Sequence, residues 1–77
     1  MDIENKILTI IRTEFNRPES ILESRLYSDL HFSELDMMML MFALEEDFDI
    51  EILDEDMVIW VMVKDVIEYV KTKKEEK

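Results

Sequence analysis

The sequence contains no glycine and a single proline, Pro18, in 77 residues. Glycine adopts positive φ angles most readily, and the tight turns of β-hairpins depend on such angles. A chain without glycine therefore favours helices joined by open connections. Because 77 residues suffice for one small hydrophobic core, we predict a single all-α domain.

The chain is strongly acidic, since 20 Asp and Glu residues against 9 Lys and Arg residues give a net charge of −11. This charge disfavours binding to nucleic acid or to an anionic membrane, and it steers the protein toward basic protein surfaces. The alternative for so charged a chain is disorder, but a hydrophobic content of 48% with clear periodicity argues against it.

Several features predict a soluble, cytoplasmic protein. Cysteine is absent, which fits a reducing compartment. Asp2 and Glu4 stand where a signal peptide would carry basic residues. The longest apolar run, residues 37–44, is too short to span a bilayer.

The first helix is predicted from apolar residues at helical spacing: Ile3, Ile7, Ile10, Ile11 and Phe15. Asp2 suits its N-cap, and Pro18 should end it near Asn16. Residues 17–32 then form a long connection. The residues expected to hold it to the core are Ile21, Leu26, Tyr27 and Leu30.

The second helix is predicted to begin at Ser33, a preferred cap residue, and to run to about Phe48. Asp36 stands where a capping box usually has Glu or Gln, so the box should be imperfect. Both sides of this helix are apolar. One side carries Met37, Leu40, Met41, Leu44 and Phe48, and the other carries Leu35, Met38, Met39 and Phe42. A domain this small buries only one side, so we expect the second to be exposed.

The remainder should form a short helix starting at residues 54–56 and a last helix in which Val63, Val66, Ile67 and Val70 face the core. Residues 57–63 would also suit a buried strand, but a lone strand has no partner, so we favour a short helix and a turn. Trp60 should be core. The predicted architecture is an antiparallel-type bundle of three main helices and one short helix in residues 1–72, with a frayed charged tail at 73–77.

The sequence of residues 29–70 resembles the acyl carrier protein family without a gap. That family typically reads DLGADSLD, then ALEEEFD, then EIPDEE and a VxxxIxYI-like helix. The matching positions here are Asp29, Leu30, Leu35, Asp36, Ala43, Leu44, Glu45, Glu46, Phe48, Asp49, Glu51, Ile52, Asp54, Glu55, Val63, Ile67 and Tyr69. The N-terminal helix fits more loosely.

The resemblance implies a carrier used in fatty acid or polyketide biosynthesis rather than an enzyme. Such carriers hold an acyl chain as a thioester on a 4′-phosphopantetheine arm, which a phosphopantetheinyl transferase attaches to the serine of the DSL motif. Acyl-transferring and synthase enzymes with basic surfaces then act on the arm. A helix N-terminus suits this serine because it favours the attached phosphate.

The chain departs from the family pattern at the attachment site. In the gap-free alignment Glu34 occupies the serine position, and Ser33 occupies that of the preceding aspartate. His31 and Phe32 replace the motif's Gly and Ala. If both residues were helical, Ser33 would lie about 100° around the helix from the expected position. Ser33 is thus the candidate attachment site, and a plain N-cap is the alternative.

The resemblance places partner binding on the outer face of the second helix. The predicted partner-binding residues are Glu34, Leu35, Asp36, Met38, Met39, Phe42, Glu45, Glu46 and Asp47. Met39 replaces an acid common in the family, so this surface should be unusually apolar. Two further hypotheses stay open: an unmodified carrier fold that acts as a binding or regulatory module, and a weak homodimer through the Met-rich face, although we expect a monomer.

Two other patterns are weaker. Asp47, Asp49 and Glu51 suggest a calcium loop, but Ile52 stands where that loop requires glycine. Likewise, Ser33 near His31 suggests a nucleophile and base, yet no third orienting group is visible. We therefore predict neither a metal site nor a catalytic site.

Overall fold

The computed structural model describes residues 2–75 and confirms an all-helical bundle. Helix α1 spans Ile3–Thr9 and continues as a π-helical turn over Ile10–Glu14. Helix α2 spans Glu34–Phe48, a 3-10 helix spans Asp54–Ile59, and helix α3 spans Val63–Glu75. No helix within this described part of the chain is both long enough and apolar enough to cross a membrane.

One hydrophobic core joins the helices, and the predicted faces form it. All five apolar residues of the predicted inner side of α2 are buried. The same holds for Val63, Val66, Ile67 and Val70 of α3, and for Ile7, Ile10 and Ile11 in the first helix. Ile3 and Phe15 are only partly buried against this core. Helix α3 contacts both α1 and α2.

Residues 15–33 form the long connection, which is anchored partly as predicted. Leu26 and Leu30 are fully buried, but Ile21 and Tyr27 are exposed, so the prediction that these two anchor the connection is wrong. Leu22 packs against the core instead. Helical or alternating patterns are absent from this segment, so its apolar positions carry no information about which side they face.

In the structure, residues 57–59 end a short helix and an extended turn follows, as favoured above. After the 3-10 helix, Arg25 and Met62 form an isolated antiparallel bridge. The Leu26 amide donates to the Val61 carbonyl at 2.8 Å, which ties this turn to the connection. Trp60 is buried as predicted, and its ring forms an edge-to-face contact with the Tyr69 ring, with 5.4 Å between centroids.

The C-terminal end of α2 is acidic, which is unfavourable because the helix dipole is negative there. Cations from the other helices offset this effect. Lys74 of α3 donates to the Phe48 carbonyl at 3.0 Å, and the Lys6 ammonium lies 5.4 Å from the centre of the Phe48 ring.

Helix α3 continues to Glu75, past the predicted domain end at residue 72. Fraying of the tail stays a prediction, and residues 76 and 77 lie outside the described residues.

Among the described residues, three adopt positive φ angles: Asn16, His31 and Asp49. Asn, Asp and His occupy the left-handed region more often than other residues with a side chain, and His31 occupies it at φ 58° where the family motif has glycine. The connection thus makes a left-handed turn here without a glycine. His31 carries the steric cost of that turn immediately before α2.

Relief of this strain is testable by substitution at His31. We expect His31→Gly to raise the free energy of unfolding by about 0.5–1 kcal/mol, because glycine adopts φ 58° without a steric penalty. His31→Val should lower it by more than about 1 kcal/mol, since a β-branched residue tolerates this region poorly. Urea denaturation measures both. Equal stability of the two variants would contradict the prediction.

Candidate functional site

The N-terminus of α2 is fixed by a reciprocal pair of hydrogen bonds. The Asp36 amide donates to Ser33 Oγ at 3.1 Å, and the Ser33 amide donates to Asp36 Oδ2 at 3.0 Å. The capping box is therefore complete, although Asp36 replaces the usual Glu or Gln. The prediction of an imperfect box is wrong because the shorter aspartate side chain still reaches the Ser33 amide.

Ser33 is the N-cap and has extended backbone angles, φ −87° and ψ 172°. Its side chain is exposed, and Glu34 is the first helical residue. The 100° offset expected for two helical residues therefore does not apply, because only Glu34 is helical. The structure presents an exposed hydroxyl at the positive end of a helix of 15 residues.

Arg17 supports this helix start from the long connection. Its guanidinium donates to the Leu30 carbonyl from Nε at 2.6 Å and to the Phe15 carbonyl from Nη1 at 2.5 Å. It also lies 5.4 Å from the centre of the Phe32 ring. Nη2 approaches Asp36 Oδ2 at 3.9 Å, the same oxygen that accepts from the Ser33 amide.

Arg17 was not among the predicted site residues. Its partners are backbone carbonyls, one of which, that of Leu30, lies thirteen residues away, so no sequence motif marks the contact. Phe32, at the motif's alanine position, fills the space beneath it and stacks on Phe15 with ring centroids 5.2 Å apart. Together these side chains hold the segment that leads into Ser33.

The predicted outer strip of α2 is exposed along its whole length. Exposed fractions range from 47% at Met38 to 66% at Leu35, with Met39 and Phe42 between them. These residues recur at i, i+3, i+4 and i+7, so they form one stripe on the helix surface. We call Leu35, Met38, Met39 and Phe42 the α2 strip.

The predicted acidic residues around this strip divide into two groups. Glu34, Glu46 and Asp47 are exposed. Asp36 and Glu45 are half-buried and hold internal contacts, since Asp36 closes the capping box and Glu45 Oε2 accepts from the Ile52 amide at 2.9 Å. The partner-binding role of all these residues stays a prediction.

The weaker sequence patterns find no support in the geometry. Within residues 2–75, no three His, Cys, Asp or Glu side chains gather closely enough to hold a metal ion. His31 is exposed, and the hydrogen-bond partner of the Ser33 hydroxyl is the Asp36 amide rather than an imidazole.

Comparison with known proteins finds relatives that are named acyl carrier protein. An acyl carrier protein of Rickettsia canadensis is 35% identical over 71 residues, which cover 90% of this chain and 83% of the relative. An acyl carrier protein of Syntrophus aciditrophicus is 35% identical over 75 residues, covering 95% and 94%. An acyl carrier protein of Rickettsia typhi is 34% identical over 71 residues, covering 90% and 83%. No family model matches the chain.

The hydrogen bonds of Arg17 to the segment before α2 predict that this residue stabilises the fold. We expect Arg17→Met to lower the free energy of unfolding by about 2–4 kcal/mol, because two charge-assisted hydrogen bonds to backbone carbonyls are lost. Arg12→Met is the matched control, since the Arg12 guanidinium also bonds a backbone carbonyl, that of Ser20, but away from α2.

Hydrogen exchange of the first α2 amides separates the two variants. Only Arg17→Met should accelerate exchange there in excess of its global destabilisation. Equal acceleration in both variants would show that Arg17 contributes general stability alone.

Proposed function

Because this chain belongs to the acyl carrier protein family, we propose that it carries an acyl chain as a thioester on a 4′-phosphopantetheine arm attached to Ser33. It is a carrier rather than an enzyme, and it would present the arm to acyl-transferring and synthase enzymes with basic surfaces. The observation that carries the assignment of the site is the exposed Ser33 hydroxyl at the N-terminus of α2.

The residues at this site fit a phosphodiester. The positive end of the α2 dipole favours a negative group on Ser33. Arg17 adds a cation, whose Nη2 lies 3.9 Å from Asp36 Oδ2. The arm supplies the thiol that holds the acyl group. Ser33 would provide the oxygen through which the phosphate is bonded, and this residue is exposed.

A second candidate function follows from Glu34. Since Glu34 stands at the serine position of the family motif, the chain could serve as an unmodified interaction module that binds a basic partner through the α2 strip. The exposure of that strip supports partner binding under either candidate. Cytoplasmic location and a monomeric state stay predictions under both.

Intact mass separates the two candidates. We expect protein isolated from its native host to gain the mass of one phosphopantetheinyl group. Co-expression with a broad-specificity phosphopantetheinyl transferase should give the same gain. Absence of the group in both preparations would favour the unmodified module.

Ser33→Asn is the informative variant, because asparagine is as good an N-cap as serine but offers no hydroxyl. It should abolish the mass gain while changing stability little. Ser33→Ala should also abolish the gain, and should lower the free energy of unfolding by about 1 kcal/mol through loss of the cap. A mass gain that survives Ser33→Asn would exclude Ser33 as the attachment site.

Glu34→Ser provides the reciprocal test, since it places a serine at the motif position. If the natural chain stays unmodified while Glu34→Ser is modified, the carrier role has been lost through this position. If both chains are modified, and Ser33→Asn abolishes the modification of the natural chain, the result supports Ser33 as the site.

A further inference from the structure

The long connection and the turn after the 3-10 helix together form a cleft of about 290 Å³. The residues that line it are Arg25, Tyr27, Ser28, Val58, Trp60 and Val61. We call it the Arg25 cleft. Pockets that bind small molecules have volumes of about 300–1,000 Å³, so this cleft is of a size for a small ligand only.

The Arg25 cleft differs in charge from two larger clefts of this acidic protein. Glu34 and Asp54 line the cleft of about 370 Å³ between α2 and the 3-10 helix, and Asp65 and Glu68 line the cleft of about 360 Å³ on α3. No described carboxylate lines the Arg25 cleft. Arg25 is exposed and forms no ion pair within residues 2–75, so its guanidinium is available to a ligand.

Trp60 adds a buried hydrogen-bond donor to this cleft. Its indole Nε1 is the one buried side-chain polar atom that has no hydrogen-bond partner among the described residues. The side chain is only 1% exposed, so the N–H has lost its hydrogen bond to water without gaining another. Because Trp60 lines the Arg25 cleft, a ligand oxygen bound there can accept from this N–H. Tyr27 and Ser28 offer two exposed hydroxyl groups beside it.

Backbone hydrogen bonds fix the two walls of the cleft relative to each other. The Leu26 amide donates to the Val61 carbonyl at 2.8 Å, and the Val63 amide donates to the Ser24 carbonyl at 3.0 Å. These bonds lie on either side of Arg25 in the sequence, so its backbone is held against the opposite wall. A site that is formed before its ligand arrives loses less conformational entropy on binding.

The walls and the charge of the cleft select the chemical class of its ligand. Val58 and Val61 are exposed aliphatic residues that favour an apolar body. A guanidinium binds a carboxylate through two parallel N–H bonds. The net charge of −11 repels a multiply charged anion more strongly than a singly charged one, which favours a monocarboxylate over a phosphate. Asp29, which accepts from the Arg25 backbone amide at 2.9 Å, adds to this repulsion but does not line the cleft.

We infer that the Arg25 cleft binds a small monocarboxylate, with its carboxylate at Arg25 and the Trp60 indole N–H and its apolar body against Val58 and Val61. A ligand of this chemistry has two sources, a free acid or an acyl group on the arm that ends in a carboxylate. The second source rests on the proposed function. The cleft itself belongs to the unmodified chain.

Titration of hexanoate into ¹⁵N-labelled unmodified protein is the first test. Trp60 is the only tryptophan, so one indole N–H signal reports on the cleft, and we expect hexanoate to shift it saturably. Hexanamide keeps the apolar body without the charge, and acetate keeps the charge with almost no body. Each should bind at least about fivefold more weakly. Equal affinity of hexanoate and either control would overturn the inference.

Exchange of single cations locates the carboxylate. Arg25→Gln should weaken hexanoate binding at least about fivefold, because the guanidinium is lost. Lys64→Gln is the matched control, since Lys64 is exposed, lies outside the cleft lining and removes the same charge. It should leave affinity nearly unchanged. Equal weakening in both variants would overturn the inference, because net charge alone would then explain the binding.

Trp60→Phe tests the indole N–H, since phenylalanine keeps an aromatic side chain but offers no donor. We expect hexanoate binding to weaken at least about threefold, measured on the backbone amides of residues 25–28 and 58–61. Unchanged affinity would overturn the assignment of the indole as a ligand donor. The Arg25→Gln test does not depend on how well this core variant folds, because Arg25 is exposed.

Protein with a loaded arm distinguishes the two sources. An adipoyl group ends in a carboxylate, whereas a hexanoyl group does not. If the arm supplies the ligand, the indole signal should shift in adipoyl-loaded protein alone, and free hexanoate should then no longer bind. If a free acid is the ligand, both loaded proteins should bind hexanoate as the unmodified protein does. No indole shift in any of these experiments would overturn the inference. A missing mass gain in the native protein would leave the hexanoate titration unaffected, so the two proposals fail separately.

Discussion

Helix α2 has two apolar sides, and the domain is large enough to bury only one of them. The inner side supplies Leu40, Leu44 and Phe48 to the core that α1 and α3 complete. The outer side stays exposed, and under both candidate functions it is the proposed partner-binding surface. The same helix begins at the candidate attachment residue, Ser33, so its placement sets both the site and the surface around it.

The helix start is held in place by contacts that come from far along the chain. Arg17 binds carbonyls on both sides of the connection, and Phe32 fills the space below its guanidinium. His31 makes the turn into α2 with a left-handed backbone. These three residues support the segment that leads to the exposed Ser33, which the proposed carrier role requires, although His31 and Phe32 replace the family's Gly-Ala pair.

The surface between α2 and the 3-10 helix combines apolar and acidic side chains. The cleft between α2 and the 3-10 helix has an apolar floor and carboxylates at its edge. Under both candidate functions the protein would act by being bound, and the α2 strip is an exposed apolar surface available for it.

Periodicity and capping residues alone predicted α1, both sides of α2 and the inner face of α3, because these features depend on residues three or four positions apart. Tertiary structure alone decided the rest. It packed a partly buried Leu22 against the core and left Ile21 and Tyr27 exposed, since an irregular connection has no repeat that defines a face. It brought Arg17 to Asp36, and Tyr27 to Val58, across long stretches of chain. The helices were local properties of the sequence, whereas the support of Ser33 and the cleft between α2 and the 3-10 helix arose only when distant segments met.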